Sequence, residues 1–373
     1  MNKKLMAAAV AGALAIPGLA FAQSSVTLYG TIDAGIKNMS KVGAGSDTVT
    51  YVSNGLHTTN RWGMKGSEDL GGGLKANFKL EGGYDNGTGE HSAGKIFERG
   101  SWVGLSSGGN SVEIGRDYTA NFKVLGKYDP FSYNYTGITP AVQYTGGVRA
   151  SNMIQGQVSF NGLTLLADWG LGEVPGNSSA GRHTAIGGYW SGNGLTIGAA
   201  AASLNDATNA GSRKDTTIGG AYSMNAFTFR AGWSQIKYDQ AYGTSTTAAT
   251  YVIDNDPTSA TYGTIILQPA STTMAKVEKS RMIMLGVQYA FSDRVKGRVG
   301  YYDIKDTGFA SANDGKVKTT LIGVDYSLSK RTTAYVELDH HALDGARDGA
   351  YKTEAGTLND GATGVGVGIA HAF

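Results

Sequence analysis

Two clusters in this 373-residue chain have residue types and spacing that could do chemistry. Gly89-Glu90-His91-Ser92-Ala93-Gly94-Lys95 has the glycine and lysine spacing that opens a phosphate-cradling loop. Ile96, however, stands where a serine or threonine would hold magnesium, and no strand-to-helix pattern surrounds it. Asp339, His340 and His341 could form an acid–base pair or a metal site. They lie in an alternating segment, where successive side chains point to opposite faces, so the two imidazoles diverge. His57, His91, His183 and His371 lack ligand spacing, and no Ser–His–Asp set can be assembled along the chain. Cysteine is absent, which excludes thiol catalysis, cysteine-based zinc sites and disulfides. The sequence therefore implies no cofactor, assigns no metal ligands and gives no nucleic-acid partner. What remains is charge carried on one side of alternating segments, as where Lys75, Asn77, Lys79 and Glu81 interleave with Leu74, Ala76, Phe78 and Leu80.

An alternation of period two is the signature of strands with one apolar and one polar face. Val26, Leu28, Gly30, Ile32, Ala34 and Ile36 oppose Thr27, Tyr29, Thr31 and Asp33. The same pattern returns in Ile283, Leu285, Val287, Tyr289 and Phe291, in Ile322, Val324 and Tyr326, and in Ala334, Val336 and Leu338. At the end of the chain Val365, Val367, Ile369, His371 and Phe373 share one face, and glycines and alanines share the other. An apolar edge strand of this kind invites aggregation unless the sheet closes on itself. In lipid, closure is close to obligatory, because every backbone polar group must be paired internally. These segments predict an all-β fold, a transmembrane antiparallel β-barrel whose apolar faces meet lipid and whose polar faces meet water.

At the other end, Lys3 and Lys4 precede an apolar run from Leu5 to Leu19, and Ala20-Phe21-Ala22 forms a cleavage pattern before Gln23. Residues 1–22 read as a secretory signal peptide and 23–373 as one barrel domain. Loss of the two lysines leaves 30 basic residues against 30 acidic ones, so the mature chain is formally neutral. Glycine is abundant at 56 and tyrosine outnumbers tryptophan 20 to 5, which suits twisted strands with interfacial tyrosines. A mean hydropathy of −0.20 argues against membrane helices, but not against a barrel whose alternate residues alone meet lipid. Short turns are expected at Asn161-Gly162, Ser191-Gly192-Asn193-Gly194, Met224-Asn225 and Ser292-Asp293. Longer connections are expected around 38–57, 85–95, 117–148, 239–278 and 342–361. The spacing gives sixteen strands, enough for a water-filled bore.

Several runs resemble the general diffusion porins of β-proteobacteria. They are Ser24-Ser25-Val26-Thr27-Leu28-Tyr29-Gly30, Arg61-Trp62-Gly63-Met64-Lys65-Gly66, Val103-Gly104-Leu105-Ser106-Ser107, Gly115-Arg116-Asp117-Tyr118, Leu328-Ser329-Lys330-Arg331-Thr332 and the closing Gly368-Ile369-Ala370-His371-Ala372-Phe373. The resemblance implies a sixteen-stranded homotrimer of the outer membrane, among its lipids and lipopolysaccharide, with one pore per subunit narrowed by an inward-folded third loop. That loop would run from about Asp117 to Val148, with Asp129-Pro130-Phe131 holding a bend. The resemblance also carries over constriction arginines at Arg61, Arg99 and Arg149, and it makes Phe373 the signal read by the barrel-assembly machinery. Ala370 departs from the arginine that related chains commonly carry there.

Alternation bears on the arginines separately. Arg61 shares phase with Lys65 against Trp62 and Met64, and Arg99 shares phase with Ser101 against Trp102, so both are expected in the lumen. A guanidinium on the lipid face would cost ~2–4 kcal/mol near the midplane. Asp117 and Asp129 could supply the opposing negative side of a transverse field. The expected function is passive diffusion of small hydrophilic solutes and ions, with an arginine-lined constriction favouring anions. The alternatives are a barrel enzyme, which needs a compact polar constellation at the rim, and an adhesin, which needs far more chain outside the barrel.

Overall fold

The computed structural model describes residues 25–373 apart from 92–93, 136–137, 244, 248–249, 254–264, 269–270 and 274–275. The signal peptide expected at 1–22 lies outside the described residues. Alternating segments become strands β1 (Ser25–Val42), β2 (Asp47–Asn54 continued by Arg61–Gly71), β3 (Leu74–Gly83) and β4 (Gly100–Ser107). β5 (Asn110–Tyr118), β6 (Arg149–Phe160), β7 (Leu163–Gly170) and β8 (His183–Gly192) follow. Next come β9 (Leu195–Asn205), β10 (Ser212–Met224), β11 (Phe227–Tyr238) and β12 (Val277–Ala290). The wall ends with β13 (Val295–Gly308), β14 (Gly315–Ser327), β15 (Thr332–Gly345) and β16 (Ala362–Ala372). Each pairs antiparallel with its neighbours, and β16 pairs with β1 from Thr31↔Ala372 to Met39↔Gly364, which closes a barrel of sixteen strands. Closure removes the exposed edge that the terminal strand would otherwise present.

One rim carries the short turns. Asn161-Gly162 and Asn193-Gly194 have positive φ at both residues (45° and 80°, 50° and 77°), the twist that two-residue hairpins require. Phe160, Tyr222, Phe227, Phe291, Tyr326 and Phe373 point outward near this rim and form an aromatic girdle. Between the rims the outer wall is aliphatic, with Val26, Leu28, Val103, Ile186 and Ile218 all more than half exposed.

The opposite rim differs from expectation at 38–57, which is not a loop. β1 runs on to Val42 and β2 starts at Asp47, because Lys37 and Met39 keep the inward phase and are fully buried there. Residues 55–60 instead leave the β2 ladder and fold into the lumen. Asn60 anchors them, accepting a hydrogen bond from the Asp33 N–H (2.5 Å) and donating to Asp33 O (3.1 Å). Beside this insertion Lys37 Nζ sits 2.6 Å from both Glu337 and Asp339, and Asp339 also meets His341 at 2.8 Å. This ion cluster is wholly buried in the lumen, where mutual pairing offsets desolvation. His340 points the other way and lies 2.9 Å from Thr363, so the two imidazoles diverge as the pleat requires. Gly89–Lys95 lies in the connection between antiparallel β3 and β4, the wrong setting for a phosphate-cradling turn into a helix.

Candidate constriction of the pore

The third outer connection, residues 119–148 (L3), turns into the barrel. Thr119 starts it by capping helix α1 (Ala120–Leu125), its Oγ1 accepting from the Phe122 N–H at 3.3 Å. The same oxygen lies 2.9 Å from Thr145 O and 2.7 Å from Gly147 O, pinning the two ends of the loop together. From there L3 follows the inner wall over β9–β14, and a belt of inward-facing glycines receives it. A β-carbon at Gly219 would overlap the Tyr128 ring; one at Gly286 would come within 2.5 Å of Pro130, and one at Gly300 within 2.5 Å of Phe131. Polar staples finish the seat. Tyr128 OH is 2.7 Å from Thr217, Tyr144 OH is 2.6 Å from Ser280, and the Gly146 N–H donates to Asp215 at 2.8 Å. At its tip the Tyr135 N–H donates to His57 O at 3.0 Å and its hydroxyl donates to Asp325, so the 55–60 insertion brackets the loop.

With L3 on that wall, the facing wall of β1–β6 bears the charge. Arg99 is buried, its Nε donating to Glu81 at 2.9 Å and its Nη2 to Tyr118 OH at 2.9 Å. Arg149 Nη2 donates to the same hydroxyl at 2.7 Å, and its guanidinium lies 4.3 Å above the Tyr118 ring. Tyr118 thus holds two like charges side by side, because its oxygen accepts from both and its ring attracts one cation. The Arg149 Nε–H also donates to Arg99 O at 2.9 Å. Arg61 is half-buried and makes no ion pair among the described residues. Lys79 and Lys123 flank the group and share Asp117 at 2.7 and 3.1 Å. Arg61, Lys65, Lys79, Arg99 and Arg149 on this wall, joined by Lys123 reaching over from L3, outnumber the neighbouring carboxylates Glu81, Glu113 and Asp117, so the charge gathered here is net positive.

The two carboxylates expected opposite the arginines stand elsewhere. Asp117 is the penultimate residue of β5, not part of the loop, and it lies among the cations as the partner of Lys79 and Lys123. Asp129 is in L3 but turns its back on the bore and is fully buried. Its carboxylate accepts from Tyr302 OH (2.9 Å) and from the N–H groups of Tyr133 (2.8 Å) and Phe131 (3.2 Å), fixing the bend at Pro130. Arg99 also reaches the lumen without sharing the phase of Ser101. Trp102 faces inward and Ser101 outward, since they pair with inward Lys79 and outward Leu80. Arg99 nonetheless points inward because it precedes the regular ladder, which starts at Gly100. Lys123 and the double role of Tyr118 carry no sequence signal of their own, although Tyr118 closes the Gly-Arg-Asp-Tyr run.

A closed sixteen-strand barrel with a loop folded into a charged bore has the architecture of an outer-membrane barrel. The chain belongs to the Gram-negative porin family, which it matches over residues 7–346, and it lies in the outer membrane. It is 37% identical over 203 residues to outer membrane porin protein 32 of Delftia acidovorans, covering 51% of this chain and 55% of that one. Over 180 residues it is 35% identical to an outer membrane porin of Bordetella pertussis, covering 44% and 46%. The chain thus spans about half the length of the curated relatives it matches. Among solved structures, an anion-selective porin from Comamonas acidovorans superposes with a TM-score of 0.74 at 26% identity, covering 94% of this chain and all of that one.

Proposed function

We propose that the protein is a passive, water-filled channel for small hydrophilic solutes and ions that favours anions at a constriction between L3 and the basic face of β1–β6. The observation that carries this reading is the seating of Arg99 and Arg149 side by side on Tyr118, with Arg61 on the same wall, across the bore from a loop whose own carboxylate Asp129 is turned away. Charge of one sign on the wall of a narrow pore sets which ions enter. Family membership and the anion-selective Comamonas structure support the same assignment. The reading extends to a homotrimer in lipid and lipopolysaccharide, made from a precursor that loses residues 1–22, leaving 23–373 as the barrel.

The test is the reversal potential across a KCl gradient in a planar bilayer. Wild type should favour chloride. Replacing Arg61 and Arg99 together by glutamine should shift permeability toward potassium, the more so because Glu81 loses its partner. Neutralising Lys330 and Arg331, exposed in the turn between β14 and β15, should shift it much less. Equal shifts in the two double variants would remove the case for the arginine constriction.

A further inference from the structure

Between α1 and the inner wall, on the short-turn side of L3, lies a recess of about 400 Å³. Its upper wall is a stack of three rings. Tyr118, Phe122 and Tyr133 lie with successive centroids 4.4 and 4.2 Å apart and planes within 4° and 18°. Phe122 has both faces covered, so it offers the recess its edge, the positive end of the ring quadrupole. On the far side Lys127 is exposed, with its ammonium 4.4 Å from the centroid of Tyr189. Its neighbour Lys123 is held by Asp117 at 3.1 Å, whereas Lys127 makes no ion pair among the described residues. Gln157 adds an amide at the margin.

We infer that this recess binds a small aromatic carboxylate on its way through the pore. The carboxylate meets Lys127, and the ring packs beside Tyr189 against the edges of Phe122 and Tyr133. The volume suits one such molecule, at the small end of ligand pockets. An aliphatic acid keeps the ammonium contact but loses the ring pairs, a difference of about tenfold in affinity if two pairs form. The inference rests on the barrel conducting, but not on the arginine constriction.

The probe is benzoate, compared with cyclohexanecarboxylate of the same charge and similar size, titrated on the short-turn side of single channels in KCl. Each blockade is scaled to that channel's own conductance. Benzoate should reduce the current saturably at roughly tenfold lower concentration than cyclohexanecarboxylate. Lys127→Gln should weaken the benzoate effect at least fivefold, and Tyr189→Leu, which removes one of the ring pairs, should narrow the gap between the two acids. Lys330→Gln, remote from the recess, should leave the benzoate midpoint in place. Equal potency of the two acids in wild type, or a benzoate midpoint unmoved in Lys127→Gln, would overturn the subsite while leaving the channel standing. A wild-type bilayer silent in KCl would instead overturn the channel and the subsite with it.

Discussion

The Asp129 carboxylate is fully buried behind L3, and that burial lifts its pKa from the ordinary 3.8 to about 6 despite the hydrogen bonds it accepts from Tyr302, Tyr133 and Phe131. When L3 leaves its seat the group returns to water and to its ordinary value. Between the two pKa values the docked state therefore binds more protons, and docking weakens as pH rises through that window. The difference corresponds to roughly 3 kcal/mol, present below about pH 4 and gone above about pH 6. Current fluctuations from loop movement should accordingly be rarer at pH 5 than at pH 7.5, and Asp129→Asn should flatten that dependence. Noise that grows on acidification, or an asparagine variant with the wild-type profile, would mean that another group governs the seat. Residue type alone could not show this. In the sequence Asp129 is a loop aspartate beside a proline, and its burial depends on Tyr302 some 170 positions away. The inward phase of Arg61 was legible because it opens the regular ladder in which Trp62 and Met64 take the other face, whereas Arg99 enters the lumen from just outside a ladder, where the pleat does not dictate orientation.

L3 and the inner wall of β9–β14 fit together as one element. The loop supplies Tyr128, Pro130 and Phe131, and the wall supplies a glycine under each. Glycine there is needed for close approach, since a side chain would occupy the volume already taken by the ring above. Gly286→Val places a branched side chain beneath Pro130, and overpacking of this kind costs about 1–3 kcal/mol. The expected outcome is a loop that leaves its seat: a larger and noisier single-channel conductance, and liposomes that admit larger oligosaccharides than wild type does. Recordings and swelling rates indistinguishable from wild type would show that the seat tolerates the change and that L3 is held by its polar staples alone. The inward phase of Gly286 was readable from its outward neighbours Leu285 and Val287. What it receives was not, because Pro130 is distant in sequence and the strand pattern is the same whether a glycine faces water or a packed ring. The interruption at 55–60 escaped for a related reason. Polar residues on an inward face read as loop until Asn60 and Asp33 are seen to satisfy each other.

At the scale of the whole molecule the barrel depends on one seam. β16 pairs with β1 along nine consecutive residue pairs, and the last of the chain extends that seam, with Phe373 N–H donating to Gly30 O at 3.1 Å and Gly30 N–H donating to Phe373 O at 3.2 Å. The Phe373 ring covers Gly30, where any β-carbon would collide with it, and joins the outward girdle at the short-turn rim. Removing Phe373 frees two backbone groups at a membrane interface and strips one anchor from the girdle. Most of the seam remains, so a folded barrel stays physically accessible once closed. The larger loss is expected before closure, when β16 must be recognised and brought to β1 as a terminal strand. A chain ending at Ala372 should thus be made and exported normally but reach the outer membrane in its heat-modifiable folded form at a small fraction of the wild-type level, with unfolded chain accumulating in the periplasm. Gly30→Val serves as the partner variant, because it displaces the ring while keeping the terminal aromatic. If the aromatic is read as an assembly signal, Gly30→Val should assemble better than the truncated chain. Equal defects would assign the whole effect to the seam, and normal surface levels of the truncated chain would remove Phe373 from assembly altogether.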